Sequence, residues 1–367
     1  MTGRERFLAA LNNQKPDHLP CQVHDWMAYY LNKYLGGMDP YAAYQYFDMD
    51  PVIYVGPRFI YDEDRNAREW KEEIVDFGVL KDGYRHWERY ITTPEGKLVE
   101  KGANNAFTGW LTEHIIKTPE DFDLWKKYYP RPTGVDWTPV IEAKNKIGDR
   151  GIVRGGFYDF GQGSPWQSFS SVLFGSQNAI FACYDDPDWV HSVLKHLLER
   201  KLEVIDLAGM QELDLVECGG GGGSSTVISP ALHKEFCLPY DQVQIKALHD
   251  HGTKVVYHLC GGLMPLLETV VENGADALET MTPKDMGGDC DLAEATRRVG
   301  DKLAFIGGFD QNKGFEQGTP EVVSRMVREL FESCPDGGYI CCPSDHFFFG
   351  DPENIKAFVK ACRECTY

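Results

Sequence analysis

No stretch of about 18 consecutive apolar residues occurs in the chain, so no membrane-spanning helix is expected. No linker rich in Pro, Gly or Ser divides it either. The 367 residues therefore read as a single domain, 1-367, in which 1-118 is an N-terminal part with decoration and 119-367 the main body. Positive charge is scarce: 37 Lys and Arg stand against 56 Asp and Glu, a formal net charge of −19. That sign argues against nucleic acid, an anionic membrane or a polyanionic small substrate as a partner. The N-terminus, Met1-Thr-Gly-Arg-Glu-Arg-Phe-Leu, lacks the apolar core of a signal peptide, and the expected location is cytoplasmic. Cysteine is plentiful but irregular. Eleven residues without scaffold spacing are expected to be thiols or metal ligands, and the terminal Cys362-x-x-Cys365 has no second pair to complete a four-cysteine site.

What is present is an alternation of helices and short apolar strands. Thr2 caps a first helix, Leu19 to His24 is a short strand candidate, and Pro51 to Val99 reads as strands and turns, with a β-turn at Thr93-Pro-Glu-Gly96. After Pro119, strands at 151–155, 213–217, 254–257, 277–279, 304–307 and 339–342 are separated by helices at 138–146, 166–182, 187–208, 230–251, 265–273, 292–299, 320–334 and 352–365. Six such strands imply parallel pairing through right-handed crossovers. Adding Pro20–Val23 and one strand from 51–60 gives eight. The expected fold is an α/β (β/α)8 TIM barrel with an N-terminal helical and antiparallel extension, its chemistry at the C-terminal ends of the strands.

The stretch Lys254-Val-Val-Tyr-His258-Leu-Cys260-Gly-Gly262 reads as a buried strand ending in two metal-competent side chains. Strand alternation puts His258 and Cys260 on one side, about 7 Å apart along the chain, where a neutral imidazole and a thiolate make a good zinc pair. The blander alternative is a core histidine and an inert buried cysteine. Glu217, at the end of the preceding strand, brings a carboxylate to the same mouth, and three protein ligands with one open position is the catalytic zinc pattern. Cys342 is a candidate fourth ligand; Asp345 and His346 are candidates for substrate contact or proton transfer. The run Gly219–Gly223 lacks the Lys-Ser/Thr of a phosphate loop and is read as backbone making room for a substrate. Trp26, Tyr158, Phe160 and Trp166 lie near strand ends, the last three in or beside a glycine-rich loop, and are candidates for a flat apolar pocket; Asp310 ends another strand.

These residues resemble the uroporphyrinogen decarboxylase superfamily. The resemblance is carried by Ser229-Pro-Ala-Leu-His-Lys-Glu-Phe-Cys-Leu-Pro-Tyr240, the 254–262 strand, Phe305-Ile-Gly-Gly-Phe-Asp310, Gly337-Gly-Tyr-Ile340 and Asp351-Pro-Glu-Asn-Ile355. It implies a (β/α)8 barrel and one of two activities, porphyrinogen decarboxylation or corrinoid-dependent methyl transfer. The arginine-rich segment of the decarboxylases is replaced here by Cys21-Gln-Val-His-Asp-Trp-Met-Ala-Tyr-Tyr, whereas His258 and Cys260 match the first two positions of the methyltransferases' H-x-C…C zinc motif. Asp345 stands where the last cysteine is expected. The resemblance thus implies a Zn2+-dependent methyltransferase that demethylates a small methoxylated, plausibly aromatic, substrate and passes the methyl group to a corrinoid (cobalamin) on a partner protein, since no Asp-x-His-x-x-Gly segment is present in this chain. Alternatives are methyl transfer from a methyl-corrinoid to a thiol, decarboxylation of a tetrapyrrole, and a non-enzymatic barrel with structural zinc; a homo-oligomer is compatible with each.

Overall fold

The computed structural model describes residues 1–156, 163–209 and 212–367. Its strands are β1 (Val52–Tyr54), β2 (Arg58–Tyr61), β3 (Lys71–Val79), β4 (Arg85–Thr92), β5 (Lys97–Asn104), β6 (Gly109–Glu113), β7 (Pro132–Asp136), β8 (Ile152–Gly155), β9 (Leu215–Gly219), β10 (Lys254–His258), β11 (Ala277–Thr280), β12 (Ala304–Phe309) and β13 (Tyr339–Pro343). Seven of them form one parallel sheet in the order β1-β8-β9-β10-β11-β12-β13. Helices between successive strands supply the crossovers that parallel pairing requires.

The expected eighth strand, Pro20–Val23, is reduced to a single parallel bridge between Cys21 and Cys341. Gln22 N–H donates to Cys341 O at 3.0 Å and Cys341 N–H to Pro20 O at 2.9 Å. The ladder stops there because Pro20 has no N–H to give and Asp25 turns away at φ 74°. The described hydrogen bonds therefore give a seven-stranded curled sheet with one bridging residue beyond its last strand.

Alternation along the strands sorts side chains onto two faces. Val52, Ile152, Leu215, Val256, Ala277, Ala304, Ile306, Ile340 and Cys342 pack into one buried cluster with Phe7, Ala10 and Leu11 of the first helix, Gly3–Leu11. Residues of the first and last strands meet in it, so this is the concave side. The opposite face, with Ile53, Val153, Val216, Val255, Leu278 and Phe305, belongs to the larger cluster beneath the helices. The first helix keeps its place through a reciprocal cap: Thr2 accepts from Glu5 N–H, and the Glu5 carboxylate accepts from Thr2 N–H.

Two long helices expected from the sequence are interrupted. The span 166–182 breaks at Gly175, whose φ of 88° a helix cannot hold, giving Pro165–Gln167, a wide turn at Ser168–Leu173, and Ser176–Asp185. The span 230–251 breaks at Cys237, two residues before Pro239, which cannot donate to the preceding turn. Residues 58–136 form the decoration: β2 pairs with β7, β3-β4-β5-β6 make an antiparallel meander, and Glu63–Glu69 adds a helix the sequence reading did not expect. Thr93–Gly96 is the predicted turn, closed by Thr93 N–H to Gly96 O at 2.9 Å.

Candidate metal centre

Register decides which side chains meet at the C-terminal ends of the strands. His258 pairs with Glu279 across β10 and β11, whereas Glu217 pairs with Val256, two residues lower. Tyr54 pairs with Arg154 across β1 and β8. Tyr54, Arg154, Glu217, His258, Glu279 and Cys342 alternate in phase with the concave-face residues of their strands and so share that face.

His258 Nδ1 lies 3.0 Å from Glu279 Oε1. The guanidinium of Arg154, wholly buried, forks onto the same carboxylate, Nη1 to Oε2 at 2.9 Å and Nη2 to Oε1 at 2.8 Å, and reaches Glu217 Oε2 at 3.4 Å. It also covers the Tyr54 ring at 4.7 Å. From the short segment after the bridge, His24 brings its ring 5.4 Å from that of His258 and 4.8 Å from that of His346. Donor atoms of His24, His258 and Glu279 all lie within 4.8 Å of one another, the only such trio of His, Cys, Asp or Glu among the described residues.

The electrostatics follow from burial. Burial pushes the His24 imidazole down to about 3, against the opposing pull of the Glu279 charge, so it stays neutral and keeps a lone pair. Burial pushes Glu279 up, but the Arg154 charge and the hydrogen bonds from His258 and Arg154 hold its carboxyl well below the usual range. Burial works downward on His258 as well; hydrogen bonds to Cys260 and Glu279 with the charges of Glu217 and Glu279 outweigh it and hold the imidazole well above its usual value.

Of the ligands expected from the sequence, His258 and Cys260 are side by side. Glu217 is on the same face but spends its charge on Arg154, because the stagger of the strands sets it lower than Glu279. Cys342 is buried on the concave face, takes a hydrogen bond from Gln22 Nε2 at 3.6 Å, and has its thiol pushed well up by burial and then by the Glu279 charge. Asp345 is exposed and accepts from the His346 N–H at 2.7 Å. His346 faces His24, and its Nδ1 is buried without a hydrogen-bond partner. Asp310 caps the turn after β12, accepting from the N–H groups of Asn312 and Lys313.

The aromatic expectations change most. Trp26 is a core ring, stacked on Phe47 at 5.5 Å, and Trp166 is buried with Nε1 donating to Gly222 O at 2.8 Å. Tyr158 and Phe160 lie outside the described residues. Four other rings cluster together, Tyr29, Phe107, Phe348 and Phe349, two of them on the segment that follows β13. Phe107, from the β5–β6 turn, lies 4.9 Å from Tyr29 and 5.2 Å from Phe348. The glycine run does not leave open space: a Cβ on Gly221 would stand 2.5 Å from Cys260 Sγ, and one on Gly220 2.3 Å from Gln167. The protein's own side chains fill the room that the missing Cβ atoms make. His24, Arg154 and Glu279 fall within the expected strands 19–24, 151–155 and 277–279 but carry no motif of their own. That Gln22 and His24 share a face by alternation is the signal the sequence offers.

A family model described as "Uroporphyrinogen decarboxylase (URO-D)" matches residues 112–365. The uroporphyrinogen decarboxylase of Pseudomonas putida KT2440 is 30% identical over 99% of this chain and 97% of its own length, and that of Pseudomonas putida W619 is also 30% identical with the same coverage. A methyltransferase from Methanosarcina mazei superposes with a TM-score of 0.66 over 99% of both chains at 16% identity, a likeness of fold. No described helix is long and apolar enough to cross a membrane. With its sequence matched over most of its length and its parallel sheet shared, the chain belongs to the uroporphyrinogen decarboxylase family.

Proposed function

We infer that this family member is a zinc-dependent methyltransferase that removes the methyl group of a methoxylated, aryl-ether-like substrate and delivers it to the cobalt of a corrinoid on a separate protein. The observation that carries the reading is the meeting of His24, His258 and Glu279, with Cys260 beside His258, at the C-terminal ends of parallel strands. A neutral buried imidazole, a second imidazole, a thiol and a carboxylate suit a zinc ion. The residues that would hold it are His258 with donors drawn from His24, Cys260 and Glu279. Zinc supplies Lewis acidity toward an ether oxygen.

The chain's own groups supply the rest. Arg154 offsets the two carboxylates that face the site, so the buried charge near the substrate is limited. The ring wall of Tyr29, Phe107, Phe348 and Phe349 shields the mouth from water and offers flat apolar surface to an aromatic substrate. In this reading His346, whose Nδ1 is buried without a hydrogen-bond partner and whose ring lies 4.8 Å from that of His24, hands a proton to the oxygen released when the C–O bond breaks. The methyl carbon exchanges its oxygen bond for one to the acceptor cobalt, and the electron pair of the broken bond stays on oxygen.

The names of the curated relatives favour a second reading, tetrapyrrole decarboxylation. Against it stands the charge of the site: Arg154 is spent on Glu279 and Glu217, and Asp25 and Asp345 lie nearby on the same loops. A polycarboxylate substrate needs free cations there. Incubating the zinc-loaded protein with a methoxyphenol and a reduced corrinoid protein, and separately with a porphyrinogen, distinguishes the two. Release of phenol supports methyl transfer, release of carbon dioxide supports decarboxylation, and methylation of an added thiol by a methyl-corrinoid supports the reverse direction.

A further inference from the structure

Glu279 is available to the metal only if its lone pairs are not already used. Its Oε1 takes two donors, Arg154 Nη2 at 2.8 Å and His258 Nδ1 at 3.0 Å, and its Oε2 takes Arg154 Nη1 at 2.9 Å. A carboxylate oxygen has about two acceptor positions, so the oxygen that faces His258 is full and only one position on Oε2 remains. The arrangement is held from behind. Arg154 is 0% exposed, its guanidinium carbon lies 4.7 Å from the centre of the Tyr54 ring, and its fork matches a carboxylate in two places where lysine could match only one. A carboxylate on Nδ1–H fixes an imidazole in the tautomer that presents Nε2.

We propose that Arg154 is a positioning residue: its fork keeps Glu279 as the acceptor of His258 Nδ1–H, so that His258 offers Nε2 to the metal and Glu279 itself stays outside coordination. The donors left for the ion are His258 Nε2 and the His24 ring, on which no described hydrogen bond falls; Cys260, beside His258 but outside the 4.8 Å trio, would have to swing its thiol in to be the third. The proposal rests on the metal site of the preceding reading but not on methyl transfer.

The test uses the full-length protein stripped of metal and titrated with zinc against a competing chelator. Glu279→Gln keeps an amide oxygen that still accepts from Nδ1–H, so it is expected to weaken zinc binding by about 10- to 100-fold, the size of effect usual for an orienting partner, while His258→Ala abolishes binding. Arg154→Lys, which keeps the charge and loses the fork, is expected to weaken binding about tenfold. X-ray absorption of the wild-type zinc form needs no variant to fold, and it is expected to show nitrogen and sulfur donors without a carboxylate oxygen. Loss of zinc by Glu279→Gln as complete as by His258→Ala, a carboxylate in the absorption spectrum, or unchanged affinity in Arg154→Lys each overturns the proposal. A wild-type protein that binds no zinc overturns the metal site and the proposal together, whereas phenol release without any of these effects leaves methyl transfer standing and removes only the positioning role.

Discussion

Glu279 and His258 face each other as register partners on adjacent parallel strands, joined by a 3.0 Å hydrogen bond on the buried concave face of the sheet. A buried imidazole beside an ionised carboxylate is costly without a further partner; Arg154 is one, and the proposed zinc is a second. His258→Ala and Cys260→Ser are accordingly expected to abolish zinc binding while leaving the far-ultraviolet circular dichroism unchanged. Elemental analysis of the purified variants checks this. Stoichiometric zinc in both would remove the centre.

Arg154 is the counter-charge for two carboxylates. Replacing it with methionine leaves Glu279 fully buried with only the His258 imidazole beside it, and removing one partner of such a buried pair costs about 3–5 kcal/mol. Urea unfolding of Arg154→Met should give an unfolding free energy lower by that amount. A shift under about 1 kcal/mol would mean that water or rearrangement takes over the cation's part.

Much of this arrangement could be read from residues alone. The strands at 151–155, 254–257 and 304–307 announce themselves as short apolar runs between turn residues, and His258 and Cys260 as a same-side pair. Stagger could not be read. Choosing Glu217 over Glu279 as the carboxylate required knowing that β9 is set lower against β10 than β11 is, a property of hydrogen-bond register that the sequence does not display. His24 escaped notice because its strand dwindles to one bridge at Cys21. The helix breaks at Gly175 and Cys237 and the core placement of Trp26 and Trp166 are tertiary effects, in which packing overrides local pattern.

Asp241 provides a test through pH. Its carboxyl is wholly buried and accepts from Tyr257 Oη at 2.5 Å; burial pushes it up from 3.8 to about 7, the hydrogen bond opposing. The folded protein therefore binds a proton that the unfolded chain releases between those values. Stability from this group is complete below about pH 4 and lost as pH rises through about 7, a total on the order of 4 kcal/mol. Asp241→Asn should remove that slope, so that the variant gains on the wild type between pH 5 and pH 8. Thermal midpoints that run parallel over this range would contradict it.

Phe107 connects the antiparallel decoration to the rings on the segment that follows β13. It is 37% exposed, so Phe107→Ala should change stability by less than about 1 kcal/mol. If the rings receive the substrate, the same change should raise KM for a methoxylated aromatic several-fold with little effect on zinc content. Equal KM values would place the substrate elsewhere.

The most direct measurement is spectroscopic: the zinc-loaded protein is mixed with a methoxyphenol and a Co(I) corrinoid protein, and the cobalt spectrum is followed alongside phenol release. The account predicts conversion of Co(I) to the methylated form in step with one phenol per methyl transferred, and none with His258→Ala. An unchanged Co(I) spectrum across methoxylated aromatics, with carbon dioxide evolved from a porphyrinogen by the same preparation, would contradict it.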